Sequence, residues 1–159
     1  NPMVRMWMND PDGDGWGSPS SDSPYFNTAA MHSYNVGSDF NHQQARTKTY
    51  VKRVVKHWIE EYKIDGFRWD LTKGFTQACP SNVAGGQDAC TNAYQQDRVD
   101  VLKEYADYSW ALDPTHYVIF EHLLKPSFEH VVLQTTANVD HRLLELHLDV
   151  LYMLFCILH

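Results

Sequence analysis

The chain has 159 residues, enough for about one domain with a buried core. Its 13 Lys and Arg stand against 20 Asp and Glu, a formal charge of −7, so it carries no electrostatic footprint for nucleic acid or an anionic membrane surface; a neutral substrate or a basic partner fits better. Aromatic residues make up 13%, with five Trp and nine Tyr, and supply flat faces for stacking.

The chain opens on Asn1 with no charged segment followed by an apolar one, so it reads as an excerpt of a longer protein in which no signal peptide is represented. Residues 1–42 are dense in Pro, Gly, Ser, Asp and Asn, as in NDPDGDGWGSPSSDSPYFN, and follow neither a period of 2 nor one of 3.6. They predict a loop-rich insertion. Residues 43–62 change character. Val51, Val54, Val55, Trp58 and Tyr62 recur at helical spacing with Lys52, Arg53, Lys56 and Glu60 on the other face, which predicts an amphipathic helix with Trp58 in the core.

Through Lys63 alone the chain enters IDGFRWD, residues 64–70, a short apolar run that suits a buried strand. Residues 74–91 predict a long loop, and a second helix opens at Asn92 or Tyr94, with Val99, Leu102, Tyr105 and Ala106 in its apolar stripe and Pro114 as its stop. HYVIFE, residues 116–121, is a second strand candidate. Helix, strand, loop, helix, strand is the alternation that implies parallel pairing. Residues 143–158 are almost wholly apolar, yet their longest unbroken apolar run is nine residues, against the ~20 that a spanning helix needs, so no membrane anchor is expected.

Three cysteines cannot all pair within one molecule. Cys79 and Cys90 bracket a Ser-, Gly- and Asn-rich stretch and either staple it or remain thiols.

Both strand candidates end in a carboxylate, Asp70 and Glu121. In parallel α/β proteins the carboxyl ends of strands face the ligand crevice. Arg68 lies two residues before Asp70, on the same face of a strand, where it would hold Asp70 ionised. The apolar Val118, Ile119 and Phe120 would raise the affinity of Glu121 for its proton. A structural ion pair at a sheet edge is the plainer account of the trio. Two carboxyls flanking a bond are also what glycoside hydrolysis demands, one attacking the anomeric carbon and one giving a proton to the departing oxygen.

GFRWDLTKG, residues 66–74, resembles the second conserved region of the α-amylase family, glycoside hydrolase family 13, whose pattern is Gly-Phe-Arg-x-Asp-x-x-Lys-His at the end of the fourth barrel strand. VIFEH, residues 118–122, resembles the third region, on the fifth strand. The resemblance covers roughly residues 1–123. It implies an α/β fold: an incomplete (β/α)8 TIM-type barrel fragment, since a whole barrel takes ~250 residues. Residues 1–42 would be the irregular insertion. Residues 43–123 would carry the third helix, fourth strand, fourth helix and fifth strand. By the resemblance Asp70 is the nucleophile of a retaining enzyme, Glu121 the general acid/base, Arg68 the arginine beside the nucleophile in the substrate site, and Lys73 a contact to sugar hydroxyls of the substrate, an α-linked glucan such as starch or glycogen. His122, directly after Glu121, either lines the rim of the crevice and contacts substrate or is buried against a helix, since adjacent strand residues face opposite ways. Hydrolysis, branching and isomerisation share these groups, and a polymeric substrate fits a secreted, periplasmic or cell-surface setting.

The sequence departs from the family in three places. Gly74 stands where the family has His. The first and fourth conserved regions have no counterpart. After Leu123 the family pattern is lost, and a change of reading frame there would produce the apolar tail of residues 124–159.

Asp10, Asp12, Asp14 and Gly15 reproduce positions 1, 3, 5 and 6 of a Dx[DN]x[DN]G calcium loop, but position 12 is Ser21 rather than Glu. An irregular calcium loop and a solvated Asp/Gly turn both fit. The nine His show no HExxH or paired metal spacing. Trp7, Trp16, Tyr25 and Phe26 suit either sugar stacking or packing of the loop-rich segment. A second functional class fits the same residues: a non-catalytic, calcium-stabilised carbohydrate-binding or scaffolding piece.

Overall fold

A computed structural model describes residues 2–32, 37–79, 86–124 and 129–135. The chain forms two compact units, Asn1–Val51 with Lys73–Val101, and Lys52–Thr72 with Leu102–His159. Two of the three boundaries run through helices α2 (Ala45–Tyr62) and α4 (Gln96–Leu112), each giving its first part to the first unit and the rest to the second, and the third falls between Thr72 and Lys73.

In the first unit a short helix α1 (Pro2–Arg5) leads into irregular chain held by two isolated bridges, Met8 with Pro19 and Phe26 with Phe40. Aromatic rings fill its interior. Phe26 and Phe40 lie 4.5 Å apart, Phe40 stacks on Tyr50, Trp7 meets Tyr25 edge-on, and His42 stacks on Phe75 at 3.8 Å. Trp7, Tyr25 and Phe26 therefore pack among themselves, whereas Trp16 is 75% exposed. Gly74, in a 3-10 turn at Thr72–Phe75, lies so close to His32 that a Cβ there would fall 2.7 Å from the imidazole.

The stretch expected to be one long loop contains helix α3 (Gly86–Asn92). Its seven residues are too few to be helical alone. Its end is ordered by tertiary bonds instead: the disulfide Cys79–Cys90, and the buried Arg98 guanidinium donating to the carbonyls of Thr91 at 2.8 Å and Ala93 at 2.9 Å.

The second unit is built on a three-stranded sheet in the order β1 (Gly66–Trp69), β2 (Tyr117–Leu124), β3 (Glu129–Thr135). β1 and β2 are parallel, with Phe67 opposite Val118 and Trp69 opposite Phe120. β3 returns antiparallel beside β2, where a chain continuing the alternation would place a helix. Residues 136–159 of the apolar tail, Cys156 included, lie outside the described residues.

α2 ends at Tyr62, and the next residue, Lys63, has φ 53°, the left-handed conformation that terminates helices and turns the chain toward β1. Within this unit the buried positions of α2 are Val55 and Ile59. Trp58, expected in the core, is instead 41% exposed and lies against Tyr62, ring centroids 4.5 Å apart. Two adjacent apolar rows satisfy the helical period, and the compact aliphatic row is the one that turns inward.

The sheet and α4 are joined by the Trp69 and Tyr105 rings, stacked 5.2 Å apart, and by the Trp110 indole N–H donating to the His116 carbonyl at 3.0 Å. At the base of the parallel pair Gly66 faces Tyr117, and a Cβ on Gly66 would fall 2.7 Å from both the Cβ and the carbonyl oxygen of Tyr117. Among the described residues no helix is long and apolar enough to cross a membrane.

Candidate active site

The parallel register sets what meets at the strand tips. With Trp69 opposite Phe120, the next residues are Asp70 and Glu121. Alternation puts Arg68 and Asp70 of one strand on the same face as Ile119 and Glu121 of the other, while Phe67, Trp69, Val118 and Phe120 take the α4 side.

Three of the sequence-identified residues come together here. The Asp70 and Glu121 side chains are hydrogen-bonded to each other, and Arg68 Nη2 forms an ion pair with Glu121 Oε1. Glu121 is 2% exposed; Asp70 is open to solvent. The hydrogen bond with Glu121 holds the Asp70 carboxyl above the usual carboxylate range, with burial and the Glu121 charge adding to the effect. The positive charge of Arg68 and the Leu71 backbone N–H oppose it. Arg68 thus acts on Asp70 in the expected direction, but its ion pair is with Glu121.

Two carboxyls in contact cannot both ionise freely, so the pair titrates as a unit and holds one proton between them over a range of pH. One member is then a carboxylate and the other an acid.

The chain past Asp70 is fixed to β2. Leu71 has φ 49°, a left-handed conformation unusual for a residue with a branched side chain. Thr72, fully buried, donates its hydroxyl to the Glu121 carbonyl at 2.9 Å. Sequence patterning gave no sign of either residue, since a single turn has no period.

The other sequence-identified residues are His122, Lys73, Asp10, Asp12 and Asp14. His122 is half-buried next to Glu121, and strand alternation gives it the opposite face. Lys73 belongs to the first unit, where it is fully buried with its Nζ donating to Asn92 Oδ1 at 2.8 Å. Asp10, Asp12 and Asp14, also in the first unit, each offer a carboxylate oxygen, and these atoms all lie within 4.8 Å of one another. Asp10 Oδ2 accepts from the Gly15 N–H at 3.0 Å, and its Oδ1 is buried with no hydrogen-bond partner among the described residues. A hard cation would satisfy that oxygen. The three carboxylates would supply part of the ~6–8 oxygen shell calcium takes, with carbonyls and water completing it.

No family model matches the chain, and no curated protein matches it in sequence.

Proposed function

We propose that this chain carries the acidic pair of a retaining glycoside hydrolase acting on α-linked glucan. The observation behind this reading is the contact of Asp70 and Glu121 at the carboxyl ends of two paired parallel strands, with Arg68 bound to Glu121. The likeness of GFRWDLTKG to the α-amylase family's second region assigns the roles.

Asp70, the solvent-facing member, attacks the anomeric carbon and forms a glycosyl ester. In the free protein the shared proton rests with Asp70 while Glu121 pairs with Arg68; as substrate enters between them it passes to Glu121, which gives it to the departing glycosidic oxygen. Glu121 then takes a proton from water as that water attacks the same carbon and Asp70 leaves as carboxylate. The scissile bond enters between carboxyls that touch in the free protein and stand ~5–5.5 Å apart in a retaining enzyme, so substrate replaces the hydrogen bond between them. Calcium at Asp10, Asp12 and Asp14 would stiffen the irregular insertion without entering the chemistry.

The test is release of reducing ends from soluble starch by the full chain, followed by nuclear magnetic resonance of the product anomer. Release with retained configuration that disappears in Asp70→Asn and in Glu121→Gln is expected. Turnover that survives in both variants, or a wild-type chain that releases no reducing ends, defeats the assignment and leaves the binding or scaffolding reading.

A further inference from the structure

The hydrogen-bond ladder between β1 and β2 ends at the Trp69 and Phe120 pair, one residue before the two carboxyls. Beyond it the tips are joined by side-chain chemistry. Thr72 reaches Glu121 across 49 positions of sequence, and it bonds the backbone carbonyl, leaving the Glu121 carboxyl to Asp70 and Arg68. Leu71, between Asp70 and Thr72, is held at φ 49°. A non-glycine residue kept in that region persists where the surroundings over-determine it, and such residues cluster at functional sites.

We infer that Thr72 is a positioning residue for the acid pair: its hydroxyl, bonded to the Glu121 carbonyl, fixes how far the Asp70 and Glu121 carboxyls stand from each other. The inference rests on the glycosidase reading only for its effect on turnover; the positioning itself is a property of the free protein. Thr72→Val keeps the shape of the side chain and removes the donor, so the tie between the tips is lost and the carboxyls drift apart. Thr72→Ser keeps the donor.

The experiment follows the full chain, carboxyl-labelled at Asp and Glu, by carbon resonance through a pH titration, alongside kcat and KM on soluble starch. In Thr72→Val the Asp70 titration moves toward that of an ordinary carboxyl, and kcat falls about 10–100-fold while KM stays within about twofold. Thr72→Ser restores both. An Asp70 titration in Thr72→Val that superimposes on the wild type overturns the inference, whatever the turnover. A shifted titration in a chain that cleaves no glucan supports the positioning role and removes the glycosidase reading. If Thr72→Val does not fold, Thr72→Ala, which also removes the donor, is read in its place against Thr72→Ser; an Asp70 titration in Thr72→Ala that superimposes on the wild type overturns the inference.

Discussion

Arg68 of β1 and Glu121 of β2 form an ion pair in which the partners differ sharply in environment, the Arg68 side chain being 56% exposed and that of Glu121 3%. The arginine can be hydrated without the pair. The carboxylate cannot, so removing Arg68 acts mainly by leaving a buried charge less well compensated. Arg68→Gln is expected to lower stability by about 1–3 kcal/mol at pH 7. At pH 5 the loss should be smaller, because Glu121 without its cation takes up a proton more readily. Urea midpoints at the two pH values check this. Equal destabilisation at both would mean that Arg68 matters through packing.

Asp70 has the opposite relation to pH from a typical carboxylate. Its proton is held more tightly in the folded state than in the unfolded one, so its contribution to stability is complete below the unfolded value of about 3.9 and is lost as pH rises through the folded value. Asp70→Asn should therefore be more stable than the wild type at neutral pH and should lack that downward step. Denaturant midpoints from pH 3 to 8 measure it, and a variant less stable at pH 7 would contradict the prediction. Gaining stability while losing turnover is the usual sign of a residue held for function.

His42 works the other way. Burial is the main reason its pKa falls from 6.5 to about 4, with Lys48 adding to the drop and Asp39 opposing it. A depressed histidine contributes stability above its unfolded value and loses it as pH falls from 6.5 to about 4; at ~1.36 kcal/mol per pH unit this is about 3 kcal/mol. His42→Phe keeps a ring for stacking on Phe75 and cannot protonate, so stability in the acid range should fall less steeply. His116 in the second unit is lowered by burial as well, so some slope remains. An identical pH profile for the wild type and His42→Phe would dismiss the effect.

Calcium binding by the acidic loop should raise the melting temperature of the chain, since a ligand held by the folded state alone adds about 2.7 kcal/mol at a hundred times its dissociation constant. Asp10→Asn should abolish the rise, and magnesium, which prefers a tighter octahedral shell, should give less of it. A melt indifferent to both added calcium and chelator returns the loop to a solvated turn.

Sequence reasoning reached the elements with strong local patterns. The run at 64–70 contains β1, the run at 116–121 covers the first five residues of β2, which continues to Leu124, and the helices around Trp58 and Tyr105 form within a few residues of where periodicity puts them. The meeting of Asp70 with Glu121 follows from strand tips and parallel pairing together. What escaped is set by contacts distant in sequence. α3 owes its order to the Cys79–Cys90 crosslink and Arg98, and β3 to its pairing with β2. The outward turn of Trp58 depends on which apolar row faces the core, and the choice of Glu121 as the partner of Arg68 depends on reach across the sheet.

Gly66 acts on the acid pair from four residues away. Because Tyr117 leaves no room for a methyl group at that position, the two strands begin their run at backbone contact, and their divergence is counted from there. Gly66→Ala would drive a wedge between them at the root, and a small splay at that end is magnified at the other. A residue with no side chain thereby belongs to the geometry of the proton shared by Asp70 and Glu121, and a search for activity-altering substitutions confined to charged groups would pass it by.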